Sequence, residues 1–211
     1  QISARIDEPD AGLWELRNTT KLHAFTLLTH GAGARRAIEV ADATGDAELR
    51  ERAVKAARDA RRLLETRCWD DRRGVLTQAA GERNLDAAML LALHFGFWSP
   101  DDPRALSHVR AIQEQLQVDR LVKRYDVEDD FGAQEASFTV CSFWLVEALA
   151  IVGRREEATE LFDFLLEHHN GLGLFSEDIM PSTGELTGNF PQTYSHVGLI
   201  NAAFRLSREW D

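Results

Sequence analysis

Residues 136–152 read ASFTVCSFWLVEALAIV, and residues 154–168 read RREEATELFDFLLEH. The first stretch is apolar almost throughout, a composition that a helix carries only when it is buried on all sides. The second is amphipathic, with Leu161, Phe162 and Leu165 between charged residues, and reads as the outer partner of the first. Working outward, the same contrast between an apolar and a more charged helix recurs.

Thr19 or Thr20 is placed to cap a helix running to about Ala43, with Leu22, Phe25, Leu28 and Thr29 on one face. Gly31 and Gly33 weaken its middle by roughly 1 kcal/mol each relative to alanine. Asp46 caps a helix through about Arg67, with Leu49, Val54, Leu63 and Leu64 facing inward and a solvated Arg/Glu face outside. A hairpin-like break follows at residues 69–76. Asn84 and Asp86 are candidate caps for an apolar helix from Ala87 to Phe97.

Pro103 suits the first turn of an amphipathic helix over residues 104–118. A loop from Leu121 to Glu135 carries Arg124-Tyr125 and the acidic run Glu128-Asp129-Asp130. After the 136–168 pair comes a long irregular segment, Asn170 to Gln192, and a last helix from about Thr193 to Glu209. This amounts to seven helices with almost no strand signal. The breaks after Arg67 and after His168 resemble each other without a strict period, which does not fit a short-repeat solenoid. The pattern predicts an all-α fold of paired inner and outer helices, part of an α/α toroid.

The length of 211 residues suits a single helical domain with a substantial core. A net charge of −11 and the lack of any Lys/Arg run argue against nucleic acid as a partner. No run of about 18 apolar residues is present, so no membrane partner is expected and a cytoplasmic location is. Cys68 and Cys141 lie among apolar residues without CxxC spacing and read as buried thiols. The chain opens on Gln1 and runs at once into a loop of functional character, which reads as a fragment of something longer.

Two acidic segments invite a chemical reading. Trp14-Glu15 follows the Pro/Gly-containing turn Glu8-Pro9-Asp10-Ala11-Gly12. An aromatic wall can hold a sugar face and desolvate the acid, which raises a carboxyl pKa as a general acid requires. The plainer alternative is an acid that favours a nearby helix N-terminus. Glu177-Asp178 lies beside Phe175 in the long loop, where both acids could equally order the loop.

Together they are more suggestive, because glycoside hydrolysis needs two carboxyl groups flanking one bond, roughly 6.5–9.5 Å apart in an inverting enzyme. Arg124 could fork onto sugar hydroxyls or balance Glu177, or else pair with Glu128, Asp129 or Asp130. Tyr194 and His196 open the last helix close in sequence to Glu177, and a lone histidine there is more often a core or capping residue. No HExxH, Cys/His zinc cluster, phosphate-binding GxxxxGK[ST], dinucleotide fingerprint or GxSxG elbow occurs. No metal and no cofactor are expected.

Four blocks carry a resemblance: EPDAGLWELR at 8–17, Arg124-Tyr125, CSFWLVEAL at 141–149, and GLGLFSED at 171–178 followed by GNFPQTYSHVGLINA at 188–202. The sequence resembles glycoside hydrolase family 15, the glucoamylase-like enzymes, including the bacterial glucoamylase, glucodextranase and trehalase-like branches. The resemblance implies an (α/α)6 barrel and an inverting mechanism on α-glucosidic bonds. It implies Glu15 as general acid and Glu177 as general base, Trp14 packing on the sugar, Arg124 holding a terminal glucose, and Tyr194 near the base with His196 as a neighbour.

Tyr125 stands beside Arg124, and Glu135 with Phe138 keeps part of a Glu-Gly-aromatic pattern of the bacterial branches; both are expected at the substrate. Leu16 departs from the second acid of fungal members, and a Trp near Gly31 and an Asp near Arg35 are missing. The implied partner is an α-glucan or α-glucoside. The reading predicts the C-terminal half of a larger barrel, whose exposed inner faces would self-associate or take up an N-terminal half. Glucoamylase-type hydrolysis leads, with a trehalase of the same family or a non-catalytic helical scaffold as the alternatives.

Overall fold

The computed structural model describes residues 2–15, 19–127, 132 and 134–207. It divides into two compact units, one of residues 1–72 and 76–84, the other of residues 73–75 and 85–211.

The first unit is built on two long helices. After a short α1 (Ile2–Arg5), α2 (Ala24–Thr44) buries Ala24, Leu27, Leu28, Gly31, Ala34 and Ala41. It packs along α3 (Ala47–Leu63), whose small residues Ala53, Ala56 and Ala60 face inward. Small side chains on both helices permit a close approach: a Cβ on Gly31 would stand 3.4 Å from Ala60 Cβ. The glycine that lowers helix propensity thus lets the pair close. Asp46 caps α3 by accepting from Leu49 N at 2.9 Å. The helix then widens into a π-helical turn, Leu64–Cys68, before the short strands β1 (Trp69–Asp70) and β2 (Val75–Leu76).

In the second unit a 3₁₀ turn, Ala87–Leu90, runs into a single α-turn, α4 (Leu91–His94). Then come α5 (Pro103–Leu116), β3 (Gln117–Val118) and β4 (Leu121–Val122). The strand β5 (Ser137–Phe138) leads directly into α6 (Thr139–Ile151), followed by α7 (Arg155–Leu166). Two strands, β6 (Asp178–Ile179) and β7 (Leu186–Thr187), and a final helix, α8 (Thr193–Leu206), complete it. The helix α6 is the axis of this unit: all but Trp144, Ala150 and Ile151 of its thirteen residues are buried, and α7, α8 and α4 pack on it. The expected inner and outer pair is therefore present.

The structure corrects several boundaries. Neither Thr19 nor Thr20 caps α2, which starts at Ala24 after an extended His23 that gives no side-chain cap. Val54 faces outward, 40% exposed, because alanines fill the close contact with α2. Asp86 caps its helix through Ala88 N, while Asn84 instead accepts from Gln78 N through its carbonyl. The apolar stretch after it is half 3₁₀ and half α-helix and ends at His94, short of the expected Phe97. Short strands order the loops, notably the antiparallel β5-β6-β7 sheet, although strand signals are nearly absent from the sequence. The last helix ends at Leu206, and its expected extension to Glu209 falls on residues outside those described. Among the described residues no helix is long and apolar enough to cross a membrane.

His108 offers a stability test in the second unit. It is fully buried, its Nε2 lies 3.0 Å from the Met89 carbonyl, and burial pushes its pKa down to about 4 from 6.5. Between these values the unfolded chain binds the extra proton and the folded chain does not. Stability should therefore be complete above about pH 6.5 and fall as pH drops towards 4, by up to about 3 kcal/mol. Urea midpoints between pH 7.5 and 4.5 measure this. A His108→Gln variant whose midpoint keeps the parental slope would overturn the assignment to His108.

Candidate active site

The first unit carries Trp14 and Glu15 on a built turn. Asp10 and Lys21 bridge their backbones in both directions, at 2.9 and 3.0 Å. Asp10 Oδ1 then accepts from Gly12 N at 2.6 Å and from Thr26 Oγ1 at 3.0 Å, tying the turn to α2. Gly12 has a φ of +72°, and a Cβ there would strike three atoms of the His23 ring at 2.9 Å. Only glycine fits that position.

Beyond it Glu15 itself sits at a φ of +52°, exposed, with its N–H on the Gly12 carbonyl. A left-handed glutamate costs of order 1 kcal/mol, and such cost concentrates at functional sites. Trp14 is half-buried beside it. Leu16 and Arg17 of the same motif lie outside the described residues.

Beneath this turn Asp10 Oδ2, His23 Nε2 and His30 Nδ1 are buried with no hydrogen-bond partner among the described residues. Burial lowers the pKa of both histidines, with the Asp10 charge opposing it. The turn therefore rests on neutral imidazoles. In the sequence only the Pro-Asp-Ala-Gly spacing marks Asp10, and nothing local marks the histidines.

The second unit holds the other candidates. Glu177 lies just before β6, and its backbone is fixed on both sides: its N–H donates to the Asn189 carbonyl at 2.9 Å, and its carbonyl accepts from Thr139 N at 2.9 Å. Its Oε2 accepts from Asn189 N at 3.0 Å and Asn189 Nδ2 at 2.6 Å. One carboxylate oxygen is thus clamped while the group stays partly accessible. Asn189 was not singled out from sequence, though it lies in the quoted Gly188-Asn-Phe-Pro block.

Asp178, next along, opposes Phe138 on β5 and Thr187 on β7. Burial, reinforced by the Glu177 charge and opposed by Arg124, pushes its carboxyl up to about 6. Arg124 donates from Nε to Gln134 Oε1 at 3.3 Å and stacks over the Phe138 ring, 5.4 Å from its centroid. Its expected alternatives Glu128, Asp129 and Asp130 lie outside the described residues. Arg124, Phe138 and Asp178 therefore share one neighbourhood with Glu177.

The remaining candidates divide. Tyr125 is only 3% exposed and bridges Asp86 by its backbone, so it supports the loop from inside. Glu135 is exposed just ahead of β5, and Tyr194 is 64% exposed at the start of α8. His196 Nε2 accepts from Phe175 N at 3.3 Å, and its ring meets the Phe175 ring edge-on at 5.8 Å. It holds the loop that leads into Glu177. Both thiols are free and buried, with Cys68 raised to about 12 and Cys141 raised well above its usual value by burial. Among the described residues no group of three or more His, Cys, Asp or Glu is placed to hold a metal ion.

Residues 2–204 match the model of the family described as glycosyl hydrolases family 15. The chain belongs to this family. It is 38% identical over 204 residues to a trehalase of Mycolicibacterium smegmatis, a match covering 95% of this chain and 30% of that protein. In three dimensions it is similar to a glycosidase at a TM-score of 0.83 and 22% identity, over 97% of this chain and 57% of that one. It is also similar to a glycoside hydrolase family 15 glucoamylase from Hypocrea jecorina at a TM-score of 0.74 and 12% identity, over 95% and 44% of the two chains. The fold class is that of the family 15 (α/α)6 toroid proteins, all-α as the helix pairing predicts and of the kind the resemblance implies. The chain spans about a third of the length of the trehalases it matches.

Proposed function

We propose that this family 15 chain supplies the two carboxyl groups of an inverting glycoside hydrolase acting on an α-glucosidic bond. Glu15 is the general acid that protonates the leaving oxygen, and Glu177 is the general base that activates the attacking water. The observation that carries the reading is the Glu177 clamp. Asn189 holds one carboxylate oxygen with two N–H groups, which fixes the direction of the group and leaves it partly open to solvent. A general base needs both properties, a fixed direction and an oxygen left open to water.

The Trp14-Glu15 turn supports the other half: an aromatic beside an acid held in a costly backbone conformation on a braced loop. Arg124, already stacked on Phe138, presents a planar cation suited to sugar hydroxyls. In this reading Tyr194 and Glu135 contribute exposed polar groups nearby, while His196 and Tyr125 act by holding the loops.

The substrate that the relatives favour is trehalose, because the 38% identical relative is a trehalase. A glucoamylase-type glucan hydrolase is the second reading, favoured by the likeness of fold to a glucoamylase. Glucose release from trehalose, maltose and soluble starch, measured side by side, separates the two. Trehalose turnover well above the others is the expected result, and starch hydrolysis without trehalose hydrolysis would reverse the order. With trehalose, polarimetry should show one β- and one α-glucose released per turnover, because the attacked sugar inverts and the leaving sugar keeps its configuration; release of α-glucose alone would remove the inverting assignment.

A further inference from the structure

Two carboxyl groups meet at Gly188. A Cβ on this residue would stand 3.0 Å from Asp178 Oδ2, 3.0 Å from Glu177 Oε2 and 2.9 Å from Glu177 Cβ. Both oxygens therefore lie within 3.0 Å of one point, and within twice that distance of each other. The backbone accounts for this closeness. Thr187 opposes Asp178 in the sheet, and Asn189 bonds back to Glu177, which leaves Gly188 as an extra residue between them with a φ of +74°. That is the arrangement of a β-bulge opened by a left-handed glycine, a device that re-aims side chains.

Two opposite charges act on Asp178. Its cross-strand partner Phe138 carries the Arg124 guanidinium, whose charge acts on Asp178, and Glu177 acts on it with the opposite sign. From α6 the Cys141 thiol feels both Asp178 and Asp86, and burial keeps that thiol protonated. Asp178 Oδ1 is buried and accepts no hydrogen bond among the described residues. A carboxyl with a purely structural task would have its oxygens satisfied.

We propose that Asp178 is a positioning residue for Glu177, a second carboxyl whose charge stands behind the general base and takes part in no bond change. This rests on the reading of Glu177 as the base. When ionised, Asp178 adds negative potential where the sugar ring gains positive charge in an oxocarbenium-like transition state, and it attracts the proton that Glu177 removes from water. Its carboxyl, held up at about 6, gains this charge only as the pH rises through that value. Activity should therefore climb through the same range.

The test compares pH profiles of kcat for trehalose hydrolysis by the parent, D178N and E177Q proteins, together with ¹³C carboxyl NMR of Asp178 in the parent. The parent profile should show an acidic limb with its inflection at about 6, matched by the Asp178 carboxyl titration. D178N should lose that inflection, move the limb at least about one unit to lower pH, and lower the maximal kcat about tenfold with KM within about twofold. D178E should restore part of the lost kcat. A D178N profile that superimposes in shape on the parent would overturn the proposal. So would an Asp178 carboxyl that titrates near the ordinary aspartate value of about 4, a measurement that needs no variant. Parent-like turnover by E177Q is a separate outcome, since it removes the base assignment on which the proposal stands.

Discussion

Replacing Glu177 with glutamine is expected to lower kcat by roughly 10²–10⁴-fold while leaving the fold intact, the range that a positioned general base contributes. The substitution keeps the shape of the side chain and changes its chemistry. A glutamine oxygen can still accept from Asn189 N and Nδ2, and the backbone bonds to Asn189 and Thr139 do not involve the side chain at all. The amide cannot take a proton from water at the pH of the assay. Circular dichroism and the urea midpoint should stay close to the parent. Steady-state rates on trehalose read the effect, and turnover within about threefold of the parent would exclude Glu177 as the base.

Phe143→Ala should cost about 3–5 kcal/mol of stability, the usual range for removing a fully buried aromatic ring. The ring is 0% exposed at the centre of α6 and meets Phe162 and Phe175 edge-on, with centroids 6.2 and 5.8 Å away. On a further side α8 approaches so closely that a Cβ on Gly198 would lie 2.9 Å from Phe143 Cβ. Helices already in contact at their backbones cannot close the gap, so the cavity remains. Phe175 also leads into Glu177, and the loss should loosen the site along with the core. Urea unfolding gives the stability change; a loss below about 1 kcal/mol would mean that the α6 core repacks around the gap.

The helices were legible because burial leaves a periodic mark. The helix α6 is buried on nearly every side and reads as an unbroken apolar run, while α3 and α7 alternate charge with small or apolar residues. Boundaries were less legible where a side chain had two uses. Thr19 and Thr20 are good caps by residue type, but the Asp10–Lys21 bridge extends the chain past them and α2 starts later. Val54 is apolar yet faces outward, because close packing between α2 and α3 demanded alanine and not size. Two-residue strands such as β6 and β7 are too short to leave a period, and they form because β5 offers an edge to β6 and β6 offers one to β7.

By itself the sequence determined the all-α class, the buried core helix and its outer partner, and a short set of acidic and aromatic candidates with their family likeness. Each of these depends on residue type and spacing along the chain. Only the tertiary structure showed that Asn189 clamps Glu177, that Asp178 meets it over Gly188, that Arg124 rests on Phe138, and that Glu15 stands on a turn braced by Asp10 against His23. These partners are up to 14 residues from one another in sequence, and hydrogen bonds, charge and desolvation act through space. A local pattern can name a carboxylate, but its neighbours in the fold decide what that carboxylate does.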